Sequence, residues 1–279
     1  MHTIDEFIQL ALKEDIGPGD ITTDNLVAPN TPGRGVIVAK QDLVIAGLAV
    51  AEKVFKALEP TIVFEAGYAD GDRVAAGSTV IRLTGSLAGL LKGERTALNF
   101  LQRLSGIATQ ARAYVATVAG SPVKLVDTRK TTPGWRVLEK YAVRVGGAHN
   151  HRMGLYDGVL IKDNHIAVAG GITAAVAKAR QAISHLVKIE VEASSLAEVD
   201  EALAAGADII MLDNMDVDQI RQAVTHIAGR ALVEVSGGVT RDRLKALATT
   251  GVDLISIGAL THSAVAVDLS MRIEPDKGP

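Results

Sequence analysis

Short β-branched runs alternate with helical segments over the second part of the chain. From Val123 onward six such runs follow one another, KLVDT, DGVLIKD, VKIEVEA, DIIMLD, ALVEVS and DLISIGA. The segments between them, for example SLAEVDEALAAG and VDQIRQAVTHIAG, are helical in pattern. This alternation is typical of a parallel sheet with helical crossovers. Six units are too few for a closed eight-stranded barrel, which typically takes about 250 residues, so the pattern predicts an incomplete barrel.

The first part of the chain has a different rhythm. It opens with an amphipathic helix and the turn IGPGDITT, and continues with the β-rich runs GVIVAK, LVIAG, TIVFEA and TVIRLTG around the helical AVAEKVFKALE. These patterns indicate a small α+β domain. Residues 86–120 are almost all compatible with a helix that links two domains. We predict an N-terminal domain with linking helix over 1–105, a barrel domain over 106–270 and a C-terminal tail over 271–279.

A weak internal repeat supports a barrel. AAGADIIMLDN recurs as TTGVDLISIGA, with Gly206 and Gly251 closing successive helices before Asp208 and Asp253 open strands. Repetition of this kind favours a barrel over an open sheet.

Composition narrows the function classes. The net charge of −3 and nine aromatic residues in 279 leave no basic footprint and no base-stacking platform, so nucleic acid is not an expected partner. The longest apolar run, Leu43 to Ala51, is far shorter than the roughly 20 residues that span a bilayer. The opening MHTIDEFIQLALKEDIG lacks the features of a signal peptide. With no Cys there are no disulfides. We expect a cytoplasmic protein.

Polar, charged and glycine residues stand at the carboxyl ends of the predicted strands, where β/α barrels carry their chemistry. Cations follow the first two strands, carboxylates the next two, and small residues the last two. Buried charge is costly unless it is paired or bound to a ligand, so this ring indicates a binding site. Its members are Thr128, Arg129, Lys130, Lys162, Asp163, Asn164, Glu190, Glu192, Asp213, Asn214, Ser236, Gly237, Gly238 and Gly258.

Residues 127–165 gather seven Lys and Arg and three His against four acids, which predicts a pocket for a small polyanion. In DTRKTTPG, Thr132 is expected to cap a helix that starts at Pro133, with Arg129 and Lys130 either solvated or part of an anion site at the helix start.

The histidines of this stretch have two interpretations. His149, His151 and His165 could bind a metal, but no acidic or Cys ligand lies at a supportive spacing in the sequence. His151 beside Arg152 suits a pair of donors to a carboxylate. Since GGAHNHRMGL precedes a strand, it must loop back to reach the carboxyl end of the barrel.

Alternatives also remain for the other candidates. Glu192 and Asp213 could be helix caps, or could hold hydrated Mg²⁺ or sugar hydroxyls. SGGV and GALTHS resemble the phosphate-binding site that β/α barrels form from their last two βα loops. Lys162 could form a Schiff base, as in barrel aldolases. Arg95 is expected to be a surface charge of a helix.

Taken together, these segments resemble the quinolinate phosphoribosyltransferase family. The matching pieces follow the family order over nearly the whole chain: EDIGPGDITT, ERTALNFLQRLSGIAT, DTRKTTPG, VGGAHNHRMGL, LIKDNH, IEVEASSLAE, IMLDNM, VEVSGGV and ISIGALTHS. The resemblance implies an N-terminal α/β sandwich, an open, incomplete α/β barrel, and a homodimer with shared active sites. It also implies Mg²⁺-dependent phosphoribosyl transfer to quinolinate with decarboxylation, in NAD biosynthesis.

The same resemblance implies roles for individual residues, which form three groups. Those implied for quinolinate are Arg129, His151, Arg152, Lys162, the adjacent Thr128 and, from the partner subunit, Arg95. Those implied for phosphoribosyl pyrophosphate and Mg²⁺ are Lys130, Glu192 and Asp213. Those implied for the 5′-phosphate are Ser236, Gly237, Gly238 and Gly258. Lys130 and Lys162 are candidate proton donors.

Three other functions stay open at this point. A phosphoribosyltransferase-like protein of molybdenum transport shares TRK-like and SGG-like pieces, although IKDNH and NHR argue against it. A Schiff-base aldolase would use Lys162. A non-catalytic anion-binding protein would not need the carboxylates opposite the cations.

Overall fold

The computed structural model describes residues 4–275 and has mixed α/β architecture. The helices are α1 Ile4–Ile16, α2 Ile21–Leu26, α3 Leu48–Leu58, α4 Leu87–Thr117, α5 Arg136–Val145, α6 Asp163–Ala169, α7 Ile172–Ala182, α8 Leu196–Ala204, α9 Val217–Ile227, α10 Arg241–Leu247 and α11 Ala259–His262. The strands are β1 Pro32–Ala39, β2 Leu43–Val44, β3 Val63–Ala66, β4 Arg73–Val74, β5 Thr79–Ser86, β6 Lys124–Val126, β7 Val159–Ile161, β8 Ile189–Ala193, β9 Ile209–Asp213, β10 Leu232–Ser236, β11 Leu254–Ser256 and β12 Leu269–Pro275.

The chain forms two compact units. One runs to Arg112 and takes in Arg144–Gly147 and the chain from Ala264; the other consists of Ala113–Val143 and Ala148–Ser263. The long helix predicted over 86–120 is α4, which continues past the boundary expected at residue 105 and ends in the second unit.

The first unit is built on an antiparallel sheet of order β12-β1-β5-β3, with β2 and β4 paired separately. Residues of β1 alternate between exposed and buried, as a strand with one face on a core does. Helix α3 buries one apolar face, and the ring of Phe55 packs so closely on α4 that a Cβ on Gly93 would lie 2.7 Å from it. The small α+β domain expected from the sequence is confirmed.

The C-terminal segment differs from the expected barrel end and tail. Residues Leu269–Pro275 form β12, which pairs antiparallel with β1 from Ala39↔Leu269 to Gly33↔Pro275. The physical reason is edge pairing: without β12, the backbone groups on one side of β1 would have no partners. Of the predicted tail, residues 276–279 lie outside the described part.

The second unit contains a parallel sheet of order β6-β11-β10-β9-β8-β7, which agrees with the six β/α units predicted. β6 and β7 lie at opposite ends of this order, so the barrel is not closed. The predicted open, incomplete barrel is therefore confirmed. The outward-facing residues Ile189, Val191 and Leu212 are buried because helical crossovers cover the outer face of the sheet.

The internal repeat corresponds to a repeated structural device. Gly206 and Gly251 have positive φ, 78° and 89°, after α8 and α10. The carboxylate of Asp208 accepts a hydrogen bond from the backbone N–H of Ile189 at 2.8 Å, and that of Asp253 accepts one from Val233 at 2.8 Å. Each Asp thus ties the start of its own strand to the preceding strand of the barrel. Over residues 4–275, no helix combines the length and apolar character needed to cross a membrane.

Candidate active site

A cavity of about 860 Å³ opens at the carboxyl ends of the barrel strands. Its wall contains the predicted barrel residues Thr128, Arg129, Lys130, His151, Arg152, Lys162, Glu192, Asp213, Ser236, Gly237, Gly238 and Gly258. Arg95 lies on α4 in the other unit, is exposed, and is not part of this wall. The wall also includes residues that we had not singled out from the sequence: Glu234, Ser256 and His262.

The segment before β7 does reach the carboxyl end of the barrel. His149 forms a parallel bridge with Val126, since its N–H donates to the carbonyl of Leu125 at 2.8 Å and its carbonyl accepts from the N–H of Asp127 at 3.1 Å. The segment therefore runs alongside β6 as a short extension of the sheet. The next residues, Asn150 to Arg152, therefore lie at the carboxyl ends of the strands.

A buried ion pair then holds this segment in place. Lys140 on α5 pairs with Asp127, and both side chains are inaccessible to solvent. The Asp127 carboxylate also accepts from the Asn150 amide at 2.6 Å and from the His151 N–H at 2.9 Å, while Lys140 donates to the His151 carbonyl at 3.0 Å. These bonds fix the backbone on both sides of His151.

Both ring nitrogens of His151 are engaged by the protein. Nε2 lies 3.0 Å from Oε2 of Glu190 and 3.6 Å from Oε2 of Glu234, and Nδ1 accepts from the N–H of Arg152 at 2.8 Å. Burial lowers the pKa of His151, but the hydrogen bond to Glu190 and the charges of Glu234 and Glu190 outweigh it and raise the pKa overall. In this conformation, His151 could donate to a ligand only after a ring nitrogen gave up its present partner.

Two guanidinium groups provide the cationic side of the cavity. Arg152 donates to the carbonyl of Gly158 at 3.0 Å, which orients its side chain along the wall. Burial and the nearby charge of Arg129 lower the pKa of Arg152. Two close arginines repel each other, and a carboxylate between them would relieve that repulsion while accepting charge-assisted hydrogen bonds.

The opposite side of the cavity carries carboxylates. Lys162 Nζ lies 3.3 Å from Oε2 of Glu192, without the alignment of a hydrogen bond. Burial raises the pKa of Glu192, Lys162 opposes this rise, and the neighbouring charge of Asp213 adds to it. Asp213 accepts from the side-chain amide of Asn214 at 2.7 Å. Lys162 is 48% exposed and paired, unlike the desolvated amine that a Schiff base requires.

The glycine turn after β10 packs tightly on the end of β9. Gly237 has φ +88°, and a Cβ built on it would lie 2.4 Å from Oδ1 of Asn214, whose own φ is +54°. Similarly, a Cβ on Gly258 would lie 2.9 Å from the Lys130 side chain. Gly237 needs glycine because its φ is positive and Asn214 occupies the space of a Cβ, whereas a Cβ on Gly258 would require the Lys130 side chain to move.

Thr132 does not cap a helix, contrary to expectation. Helix α5 begins at Arg136, and the Thr132 hydroxyl donates instead to Glu139 at 2.8 Å. The buried Glu139 carboxylate also accepts from the Thr132 N–H at 3.2 Å, and Arg129 and Lys130 stand on a loop rather than next to a helix start. The carbonyl of Lys130 accepts from the Thr261 hydroxyl at 2.8 Å, which joins this loop to the one after β11.

Glu190 and Glu234 lie next to the His151 ring on the inner face of the sheet. The sequence carried a signal for both: in IEVE and VEVS they stand two residues before Glu192 and Ser236, and so share the inner face of the sheet with them. Burial and the charge of Glu190 raise the pKa of Glu234 from its ordinary value of 4.5 to about 7. His149 and His165 do not join this cluster, and His165 Nδ1 instead accepts from the Lys162 N–H at 3.0 Å.

Comparisons with known proteins agree with this architecture. The family model for the N-terminal domain of quinolinate phosphoribosyl transferase matches residues 20–105, and that for its C-terminal domain matches residues 107–272. The probable carboxylating nicotinate-nucleotide pyrophosphorylase of Bacillus subtilis is 46% identical over 260 residues, covering 93% of this chain and 90% of the relative. The corresponding protein of Synechocystis is 49% identical over 273 residues, covering 97% and 92%.

Solved structures match equally well. NadC from Streptococcus pyogenes aligns with a TM-score of 0.94 at 44% identity, covering 97% of this chain and 96% of that chain. The nicotinate-nucleotide pyrophosphorylase from Francisella tularensis aligns with a TM-score of 0.93 at 41% identity, with the same coverage.

Proposed function

The chain belongs to the quinolinate phosphoribosyl transferase family, and on that premise we propose how its cavity performs the reaction. The protein is a carboxylating nicotinate-nucleotide pyrophosphorylase of NAD biosynthesis. It transfers the phosphoribosyl group of phosphoribosyl pyrophosphate to quinolinate, with loss of CO₂, to give nicotinate mononucleotide and pyrophosphate. The observation that carries this function is one cavity with arginines on one side, carboxylates on the other and a glycine turn beside them.

The cationic side receives quinolinate. Arg129 and Arg152 bind its carboxylates, Lys162 beside Glu192 adds a third positive charge from across the cavity, and His151 lines the same wall as Arg152. Binding through both carboxylates orients the ring nitrogen towards the anomeric carbon of the sugar, so that transfer becomes effectively unimolecular. As the C–N bond forms, the C–O bond to pyrophosphate breaks, and the product is a pyridinium nucleotide.

The positive ring nitrogen drives decarboxylation. The carboxylate at the adjacent carbon leaves as CO₂, its electron pair remains on that carbon, and the pyridinium charge stabilises the carbanion. A proton then completes nicotinate mononucleotide. Lys130 and Lys162 are the candidate donors, because both line the cavity with amines that water can re-protonate.

The carboxylate side fits a divalent cation. Glu192 and Asp213 end neighbouring strands, and the buried Oε2 of Glu192 accepts no aligned hydrogen bond, its nearest cation being Lys162 Nζ at 3.3 Å. Hard oxygen ligands of this kind suit Mg²⁺, held directly or through water. When bound with phosphoribosyl pyrophosphate, the ion would neutralise the leaving pyrophosphate. Lys130 contacts the same substrate, and Ser236, Gly237, Gly238 and Gly258 hold its 5′-phosphate.

Assembly is the part of this proposal that reaches beyond one chain. We propose a homodimer in which Arg95 of one subunit completes the quinolinate pocket of the other, since Arg95 is exposed and is not in the wall of its own cavity. Mixing the Arg95→Ala and Arg129→Ala proteins, each impaired at low quinolinate concentration, tests it: activity of the mixture above the sum of the two separate proteins supports shared sites, and activity equal to that sum contradicts them. We also propose that the enzyme acts in the cytoplasm, which cell fractionation tests.

Substrate choice tests the function itself. With phosphoribosyl pyrophosphate present, quinolinate should be turned over and nicotinate should not. Turnover of nicotinate alone would contradict the proposal. Failure with both substrates would instead support a phosphoribosyltransferase-like protein of molybdenum transport or a non-catalytic anion-binding protein. Borohydride trapping of a carbonyl substrate on Lys162 would point to an aldolase.

A further inference from the structure

The carboxylates of Glu190 and Glu234, at the buried end of the cavity, lie so close together that ionising both would be costly. Glu234 is fully buried, and neither of its oxygens has a hydrogen-bond partner among the described residues; the same holds for Oε1 of the buried Glu190. One oxygen of each and Nε2 of His151 all lie within 4.8 Å of one another. Like charges in such a site favour retention of one proton by the pair.

A metal ion is the other way to neutralise this cluster, and the state of His151 argues against it. A histidine that binds a metal through one nitrogen donates the N–H of the other. Here Nδ1 is an acceptor for the Arg152 N–H at 2.8 Å, so the ring proton is on Nε2, facing Glu190. A metal at Nε2 would have to displace that proton and leave the ring without any N–H.

We propose that Glu234 is a neutral carboxylic acid that shares its proton with ionised Glu190, and that this pair positions His151 beneath the quinolinate site. The inference rests on the proposed function and extends it to two residues outside the implied substrate contacts. Glu190 accepts the Nε2 proton of His151, and Glu234 donates to Glu190 from the other side. Both glutamates act through His151 and are positioning residues.

The surroundings of Glu234 support this protonation state. Met211 on β9 and Leu254 on β11 stand beside it in register and are uncharged, while the charge of His151 and the hydroxyl of Ser256 oppose the rise of its pKa without cancelling it. Burial and the charge of Glu190 together raise the pKa of Glu234 to about 7. Above that pH the pair carries a second negative charge close to Arg152, which weakens the field that attracts a dicarboxylate.

The kinetic test compares Glu234→Gln, Glu234→Leu and the exposed control Glu65→Gln. In the wild type and the control, KM for quinolinate rises as the pH passes through about 7. Glu234→Gln donates to Glu190 but cannot ionise, so this rise is absent and KM at low pH increases about threefold or less. Glu234→Leu, which cannot donate, increases KM about tenfold or more at every pH. A Glu234→Gln profile with the wild-type rise overturns the proposal.

A spectroscopic test does not depend on activity. Infrared spectra of the wild type and of Glu65→Gln near pH 6 should contain the carbonyl stretch of a buried, protonated carboxylic acid. The spectrum of Glu234→Gln should lack this band. Its absence from the wild type overturns the proposal, as does Zn²⁺ binding that Glu234→Gln abolishes. If the band is present but quinolinate is not turned over, the protonation state stands and the proposed function fails.

Discussion

Lys140 on α5 and Asp127 at the end of β6 form an ion pair from which solvent is excluded, and the backbone of His151 is bonded to both. Burial lowers the pKa of Lys140 and raises that of Asp127, so each charge depends on the other for compensation. Neither residue belongs to the wall of the cavity at the strand ends. The role of the pair is to bring the segment before β7 to the face where Arg152 can bind a substrate.

Removing one partner of the Lys140–Asp127 pair should lower both the stability of the protein and its activity, because the pair holds the backbone of His151. Lys140→Met leaves a buried carboxylate without its cation, which should lower the free energy of unfolding by about 3–5 kcal/mol. Lys56→Met, which removes an exposed pair with Glu52, should cost less than about 1 kcal/mol. Urea denaturation measures both values. Equal losses in the two variants would show that the buried pair does not hold the fold.

Arg129→Ala should act mainly on quinolinate. The variant loses a charge-assisted hydrogen bond worth about 1.5–3 kcal/mol, so KM for quinolinate should rise about 10- to 100-fold. KM for phosphoribosyl pyrophosphate should change little. Lys124→Ala, at the other end of β6, is the matched control because Lys124 is exposed and far along the strand from the cavity. Quinolinate kinetics like those of the control would remove Arg129 from the site.

Gly237→Ala should disrupt the phosphate side. The control is Gly206→Ala, in which the alanine must also adopt a positive φ but its Cβ has open space around it. We expect this control to lose only about 1–2 kcal/mol of stability. At Gly237 the added Cβ also collides with Asn214, which must move away from Asp213. We expect KM for phosphoribosyl pyrophosphate to rise in Gly237→Ala and not in Gly206→Ala. Equal kinetics in both variants would contradict a role for this turn.

Stability should depend on pH through Glu234. Its pKa is about 7 in the folded protein against an ordinary value of 4.5, so between these values the folded state binds more protons than the unfolded state. The free energy of unfolding contributed by this group is therefore fully present below about 4.5 and decreases as the pH rises to about 7, by on the order of 3 kcal/mol. Glu234→Gln should lack this decrease. Parallel pH profiles of unfolding in the two proteins would contradict the assignment.

Local patterns were sufficient to predict much of this molecule. The six barrel strands follow from β-branched runs between helical segments, and the polar ends of those strands line one cavity because parallel strands end at the same edge. Gly206 and Gly251 end helices, as their positions before a strand predict.

Features that depend on distant parts of the chain were not predictable in the same way. The pairing of β12 with β1 joins the two ends of the chain, and nothing in LSMRIEP specifies its partner. The ring of His151 was expected to face a carboxylate of the substrate, but here it meets Glu190, a carboxylate of the protein. Glu234 was missed because a lone acid in an apolar strand does not reveal which acid it faces.

The most direct test of the account is the stoichiometry of the reaction. Quinolinate labelled in the carboxylate next to the ring nitrogen should release labelled CO₂ and pyrophosphate in equal amounts when phosphoribosyl pyrophosphate and Mg²⁺ are present, and neither product should form at a comparable rate when Mg²⁺ is chelated. Pyrophosphate release without CO₂, or CO₂ release without phosphoribosyl pyrophosphate, would contradict a single cavity that joins transfer to decarboxylation.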